Sequence, residues 1–85
     1  MSMIPDVLYA KRMMEILADD RRRLDTNPSH AAVVLWMVEE MRSAASRLKL
    51  DRDTSTSMLM AANSARQAAM ESRRKERKLK KRRAA

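Results

Sequence analysis

The absence of glycine limits the fold of this chain more than any other feature of its sequence. The 85 residues contain no Gly, and the only two prolines are Pro5 and Pro28. Tight β-hairpins usually need Gly at positions of positive φ. The abundant residues here (Ala, Met, Leu, Arg, Lys and Glu) are instead good helix formers. The sequence therefore predicts an all-α fold.

Apolar residues at three- and four-residue spacing, with polar breaks between them, predict three helices. Pro5 suits a first helical position, and Asn27 suits the N-cap that precedes Pro28. The segment 51–57, DRDTSTS, is predicted to be the second break. The expected helices cover about 5–24, 28–50, and 57–70 and onward.

The second helix raises the question of partners. Val34, Met37, Met41, Ala44 and Leu48 form one continuous apolar row, but Leu35 and Trp36 point well away from it on a helical wheel. The helix is therefore either central in the fold or also faces another subunit. Since a chain this small has no Cys to supplement its core, we expect it to be oligomeric or to fold against a partner.

The third helix carries a row made mostly of small side chains. Met58, Ala61, Ala65 and Ala68 begin it, and such a row could pack on the first two helices or on a second copy. The predicted interface residues are taken from these two rows and the outlying pair: Val34, Leu35, Trp36, Met37, Met41, Met58, Ala61, Ala65 and Ala68.

Charge divides the chain into two parts. The formal net charge is +8, and the segment 71–85 supplies nearly all of it, with nine Lys or Arg against two Glu. We therefore predict a nearly neutral helical body, 1–70, and a basic tail, 71–85. The tail is expected either to extend the third helix or to be disordered in the free protein.

Such a tail predicts a polyanionic partner, with nucleic acid as the leading candidate. Contacts to phosphates would be largely independent of base sequence. DNA and RNA both remain open, and base reading by the third helix is the less favoured alternative. A membrane surface is disfavoured because the tail has no apolar face to insert. The predicted nucleic-acid-binding residues are Arg66, Arg73, Arg74, Lys75, Arg77, Lys78, Lys80, Lys81, Arg82 and Arg83.

The sequence contains no recognisable catalytic or metal-binding pattern. Without Gly there is no phosphate-cradling loop, and without Cys or a second His there is no familiar zinc motif. Ser29, His30 and Asp25 are too close in sequence to form a triad with the required geometry. We therefore expect a protein that is not an enzyme and that uses no cofactor, metal ion or small-molecule substrate.

Two functions follow from these features. The first is a small nucleic-acid-binding accessory or regulatory protein, whose body folds and oligomerises while the tail contacts phosphates. The alternative is a structural adaptor that docks its apolar second helix on a larger assembly, such as a scaffold, a ribosome or a virion. We expect a cytoplasmic protein, or a nuclear one if the source is eukaryotic.

Overall fold

The protein is a bundle of three helices in which the last is by far the longest. The computed structural model describes the backbone of residues 5–84 and the side chains of residues 5–81. Its elements are α1 (Asp6–Arg23), a 3₁₀ turn (Pro28–His30), α2 (Ala31–Arg47) and α3 (Arg52–Ala84). No strand occurs among these residues, so the predicted all-α class is confirmed.

The buried face of α1 is a narrow stripe that recurs every seven residues. Ala10, Leu17 and Leu24 are almost fully buried, as expected for positions repeating every two turns. The neighbouring apolar residues Leu8 and Ile16 are 54% and 40% exposed. They lie beside the stripe, where no neighbouring helix covers them fully.

The first connection differs in detail from its predicted form. Asn27 makes no side-chain cap, because its Oδ1 accepts a hydrogen bond from Ser29 Oγ at 2.6 Å. Pro28 opens the 3₁₀ turn as its first residue, and α2 begins only at Ala31. His30 Nε2 lies 2.9 Å from an Asp20 carboxylate oxygen and thereby joins this turn to α1.

The second connection, residues 48–51, begins and ends earlier in the sequence than predicted. Helix α2 ends at Arg47, since Leu48 has an extended backbone (φ −77°, ψ 148°). The backbone N–H of Lys49 donates to Asp6 Oδ2 at 2.8 Å, which ties the connection to the start of α1.

Helix α3 begins at Arg52, five residues before the predicted start, because Asp51 caps it. The Asp51 carboxylate accepts hydrogen bonds from the backbone N–H of Thr54, at 3.1 Å, and from the Thr54 hydroxyl. These bonds satisfy a donor that would otherwise be unpaired at the helix start. The Ser and Thr residues that indicated a break therefore lie in the first turns of α3.

The packing register of α3 is also shifted from the predicted one. The fully buried positions are Met58, Ala62, Ala65 and Ala69, whereas Ala61 and Ala68 are half-buried. These side chains pack against both α1 and α2. The alanine row therefore serves the chain's own core, and small side chains allow the close approach of the three helices.

The core lies at one end of an elongated molecule measuring 58 × 23 × 16 Å. Among the side chains of α3 that the structure describes, every fully buried one lies at or before Ala69. At 1.5 Å per residue, the part of α3 from residue 70 to 84 is about 22 Å long. None of the helices in the described part of the chain has the length and apolarity needed to cross a membrane.

Candidate nucleic-acid interface

The basic side chains of α3 lie on the part of the helix that follows the core. Arg66 is exposed beside the core, and the seven described cations of the tail are exposed as well: Arg73, Arg74, Lys75, Arg77, Lys78, Lys80 and Lys81. The predicted contacts of Arg82 and Arg83 lie outside the described side chains. The structure therefore presents eight of the ten predicted binding residues to solvent.

Helical geometry arranges most of these cations in two rows. Arg66, Arg73, Arg77 and Lys80 lie within about 60° of one another around the α3 axis, and we call them row one. Row two consists of Arg74, Lys78 and Lys81, on the adjoining face. The rows bring together positive charges that are separated by up to fourteen residues in sequence.

Two glutamates partly neutralise the tail. Lys75 Nζ lies 3.7 Å from a Glu71 carboxylate oxygen, and Lys80 Nζ lies 3.9 Å from one of Glu76. Both pairs join residues four apart, as the sequence predicts. Such exposed pairs are each worth only about 0.3–0.5 kcal/mol, so an incoming phosphate can displace the carboxylate.

Most of the other tail cations have no acidic partner. Among the described side chains, no ion pair involves Arg73, Arg74, Arg77, Lys78 or Lys81. These groups lie close together on an exposed helix, where their mutual repulsion opposes folding. An added polyanion would remove that repulsion, so binding and helix stability are coupled.

Sequence reasoning missed a groove between α1 and α3. It has a volume of about 550 Å³, and its lining combines Arg21 and Arg22 from the end of α1 with Glu71, Ser72 and Lys75 of α3. No periodicity in either helix could have revealed that the two segments meet.

The predicted interface residues separate into three groups. Val34, Met41, Met58 and Ala65 are fully buried in the chain's own core. The half-buried residues are Leu35, Met37, Ala61 and Ala68.

Trp36 alone is largely exposed, at 65%, and Val33 one turn before it is 43% exposed. An apolar surface that a partner could contact on α2 therefore centres on Trp36 and Val33.

The one histidine of the sequence, His30, lies close to an aspartate of α1. His30 pairs with Asp20 and not with Asp25, and both partners are about 15% exposed. Among the described residues, no group of three or more His, Cys, Asp or Glu side chains could hold a metal ion.

The carboxylate of Asp51, at the start of α3, has a lowered pKa. The hydrogen bond from the Thr54 hydroxyl, followed by that from the Thr54 backbone N–H, lowers the pKa of Asp51 below its usual value of 3.8. The charged form is favoured because both donors point at it. The shift reflects its role as the cap of α3.

Comparisons with protein-family models, with curated proteins and with solved structures found no match to this chain.

Proposed function

We propose that this protein is a small, non-enzymatic nucleic-acid-binding protein that contacts phosphates through the basic part of α3. The observation that carries the proposal is the alignment of row one and row two on the exposed surface of α3, with every member except Arg66 lying beyond the core. The body then provides the folded base, and α3 provides a rod lined with cations.

The physical basis of the interaction is neutralisation of phosphates. Each Lys or Arg that engages a phosphate releases condensed counterions, so binding weakens as salt is added. If five to nine cations engage a duplex, log affinity falls against log salt with a slope of roughly −5 to −8. This contribution carries no base sequence information, so we expect similar affinity for unrelated sequences.

The positions of the two rows also favour stabilisation of the basic part of α3 by the bound nucleic acid. Row one and row two follow adjoining faces, so a backbone that runs along the helix can reach cations from both. Two copies of the chain, if it self-associates, would present two such helices and gain avidity without a new type of contact.

A set of charge-neutral variants tests the proposal in the full-length chain. Replacing Arg73, Arg77 and Lys80 with Gln should make the salt slope for a mixed-sequence DNA duplex shallower by about 2 to 3 units. Gln retains a good helix propensity, so α3 is preserved. As the matched control, Gln at Lys11, Arg12 and Arg47 removes the same charge from the body and should change the slope by less than one unit. Equal slopes for the two variants would refute the proposal.

A second function, a protein adaptor, is favoured by the exposure of Trp36 beside Val33. An aromatic side chain that is mostly accessible is a common anchor in protein interfaces. Here the occupied surface would be on α2, and the basic helix would contact an acidic protein or a nucleic acid in the same assembly. A purified chain that is monomeric and loosely packed until a protein partner is added would support the adaptor over the first function.

A further inference from the structure

The groove between the end of α1 and α3 extends the basic surface of the tail onto the body. Its lining includes four small or apolar residues, namely Ala18, Leu24, Pro28 and Ala68. Its charged and polar groups are Arg21, Arg22, Asp25, Glu71, Ser72 and Lys75. Its volume of about 550 Å³ lies in the usual range of about 300–1,000 Å³ for small-ligand sites.

A second depression on α3 continues this groove towards the C-terminus. It is lined by Glu71, Arg74, Lys75 and Lys78, and so shares Glu71 and Lys75 with the groove. The two together bring five cations (Arg21, Arg22, Arg74, Lys75 and Lys78) against the two carboxylates of Asp25 and Glu71. The result is one positive strip that crosses from α1 to α3.

The cations of this strip are available to a ligand. Arg22 pairs with Asp19 at 3.0 Å, but both side chains are more than two-thirds exposed, so the pair is weak. Among the described side chains Arg21 has no ion-pair partner. A phosphate placed over the strip would therefore meet Arg21 without a competing carboxylate and Arg22 in a weak, exposed pair.

On this basis, and resting on the proposed nucleic-acid function, we propose that the phosphodiester backbone of the bound nucleic acid leaves α3 at Lys75 and crosses the groove to Arg21 and Arg22. Arginine is well suited to this position because its planar fork can bind a phosphate through two parallel hydrogen bonds. The binding site is then bipartite, and the body sets the direction in which the nucleic acid leaves the tail.

A pair of matched double variants in the full-length chain tests this path. Arg21→Gln with Arg22→Gln removes two groove cations. Lys11→Gln with Arg12→Gln is the control, because it removes two adjacent exposed cations from the same helix. The control also breaks a similar exposed pair three residues apart, Arg12 with Glu15 at 3.1 Å.

The measurement is the anisotropy of a labelled mixed-sequence DNA duplex between about 50 and about 200 mM salt. For the groove variant we expect a slope shallower by about 1 to 2 units, since each lost phosphate contact removes about 0.9. The control should keep the wild-type slope. The charge-conserving variant, Arg21→Lys with Arg22→Lys, should restore most of the wild-type salt slope. This variant therefore separates an effect of lost charge from an effect of altered folding.

The outcomes distinguish the two proposals. If the groove variant matches the control while wild-type binding is steeply salt-dependent, the path across the groove is refuted and the function of α3 stands. If Lys at both positions fails to restore the slope, the loss is structural and the path is again refuted. If the wild-type protein shows no salt-dependent binding at all, both proposals fall.

Discussion

The two halves of α3 have the same backbone conformation but different sources of stability. The first half, about 52–69, is held by tertiary burial of Met58, Ala62, Ala65 and Ala69. The second half, about 70–84, has no fully buried side chain among its described residues. It depends on local pairs such as Glu76 with Lys80. Since isolated helices of this length are marginal in water, a continuous helix can still be much less stable at one end.

Hydrogen exchange should show the largest difference between the halves. We expect the amides of 58–69 to exchange about 100-fold or more slowly than those of 76–84, because only the former require opening of the core. Exchange followed by mass spectrometry or NMR on the free protein measures this ratio. Similar protection along the whole of α3 would contradict the comparison and would indicate that the tail is packed against something in solution.

Two methionine substitutions give the next largest contrast. Met58 is fully buried and Met60, two residues later, is 66% exposed. We expect Met58→Ala to lower the free energy of unfolding by about 2–5 kcal/mol, because it leaves a cavity in the core. Met60→Ala should change it by less than about 0.5 kcal/mol. Denaturant titrations monitored by circular dichroism compare the two, and equal losses would show that the α3 register is different.

The cap of α3 should give a smaller effect that depends on pH. Because folding lowers the pKa of Asp51, its contribution is full above the usual value of 3.8 and is lost as pH falls through the lower folded value. Asp51→Ala should lower Tm by a few degrees at neutral pH. Asp51→Asn keeps an acceptor for Thr54, so its Tm at neutral pH should stay close to that of the wild type. It should also lose the dependence of Tm on pH that the Asp51 carboxylate contributes.

Melting curves at neutral pH and below about pH 4 separate these Asp51 variants. An Asp51→Ala protein with wild-type Tm would show that α3 does not depend on this cap.

Removal of one tail glutamate should give the smallest effect and should act in opposite directions on folding and binding. Glu76→Gln loses the pair with Lys80, so helix content should fall slightly, with a cost of about 0.3–0.5 kcal/mol. Duplex affinity should rise, because the tail becomes more positive. Glu39→Gln on α2 is the control and should leave affinity unchanged. A weaker affinity for Glu76→Gln would mean that this glutamate helps to form the binding surface.

The sequence predicts the coarse fold well because helix formers and apolar spacing act locally. The absence of Gly and the breaks near Pro28 and Asp51 were enough to give three helices in the right order. The register of α3 was harder, since alanines at 61, 62, 65, 68 and 69 allow more than one apolar row. Which row is buried depends on the shapes of α1 and α2. The spacing of residues within α3 carries no information about those shapes.

Only the part of the candidate site that depends on local sequence was predicted. The cations of the tail are visible as a run in the sequence, so their residues could be named without a structure. The position of Arg21 and Arg22 beside Lys75 depends on how α1 packs against α3. A contact between segments about fifty residues apart leaves no signal in the local residue pattern. A single sequence offers no other kind of signal for such a contact.

The most direct test of the account compares nucleic-acid binding by the full-length protein and by residues 1–70 across a salt series. The anisotropy of a labelled DNA duplex and a structured RNA should rise with the full-length protein and fall away steeply with salt. The shorter chain should lose binding while keeping most of its helical signal per residue, because every fully buried residue lies at or before Ala69. Undiminished binding by residues 1–70, or no binding by the full-length protein at low salt, would contradict the division between a folded body and a phosphate-binding helix.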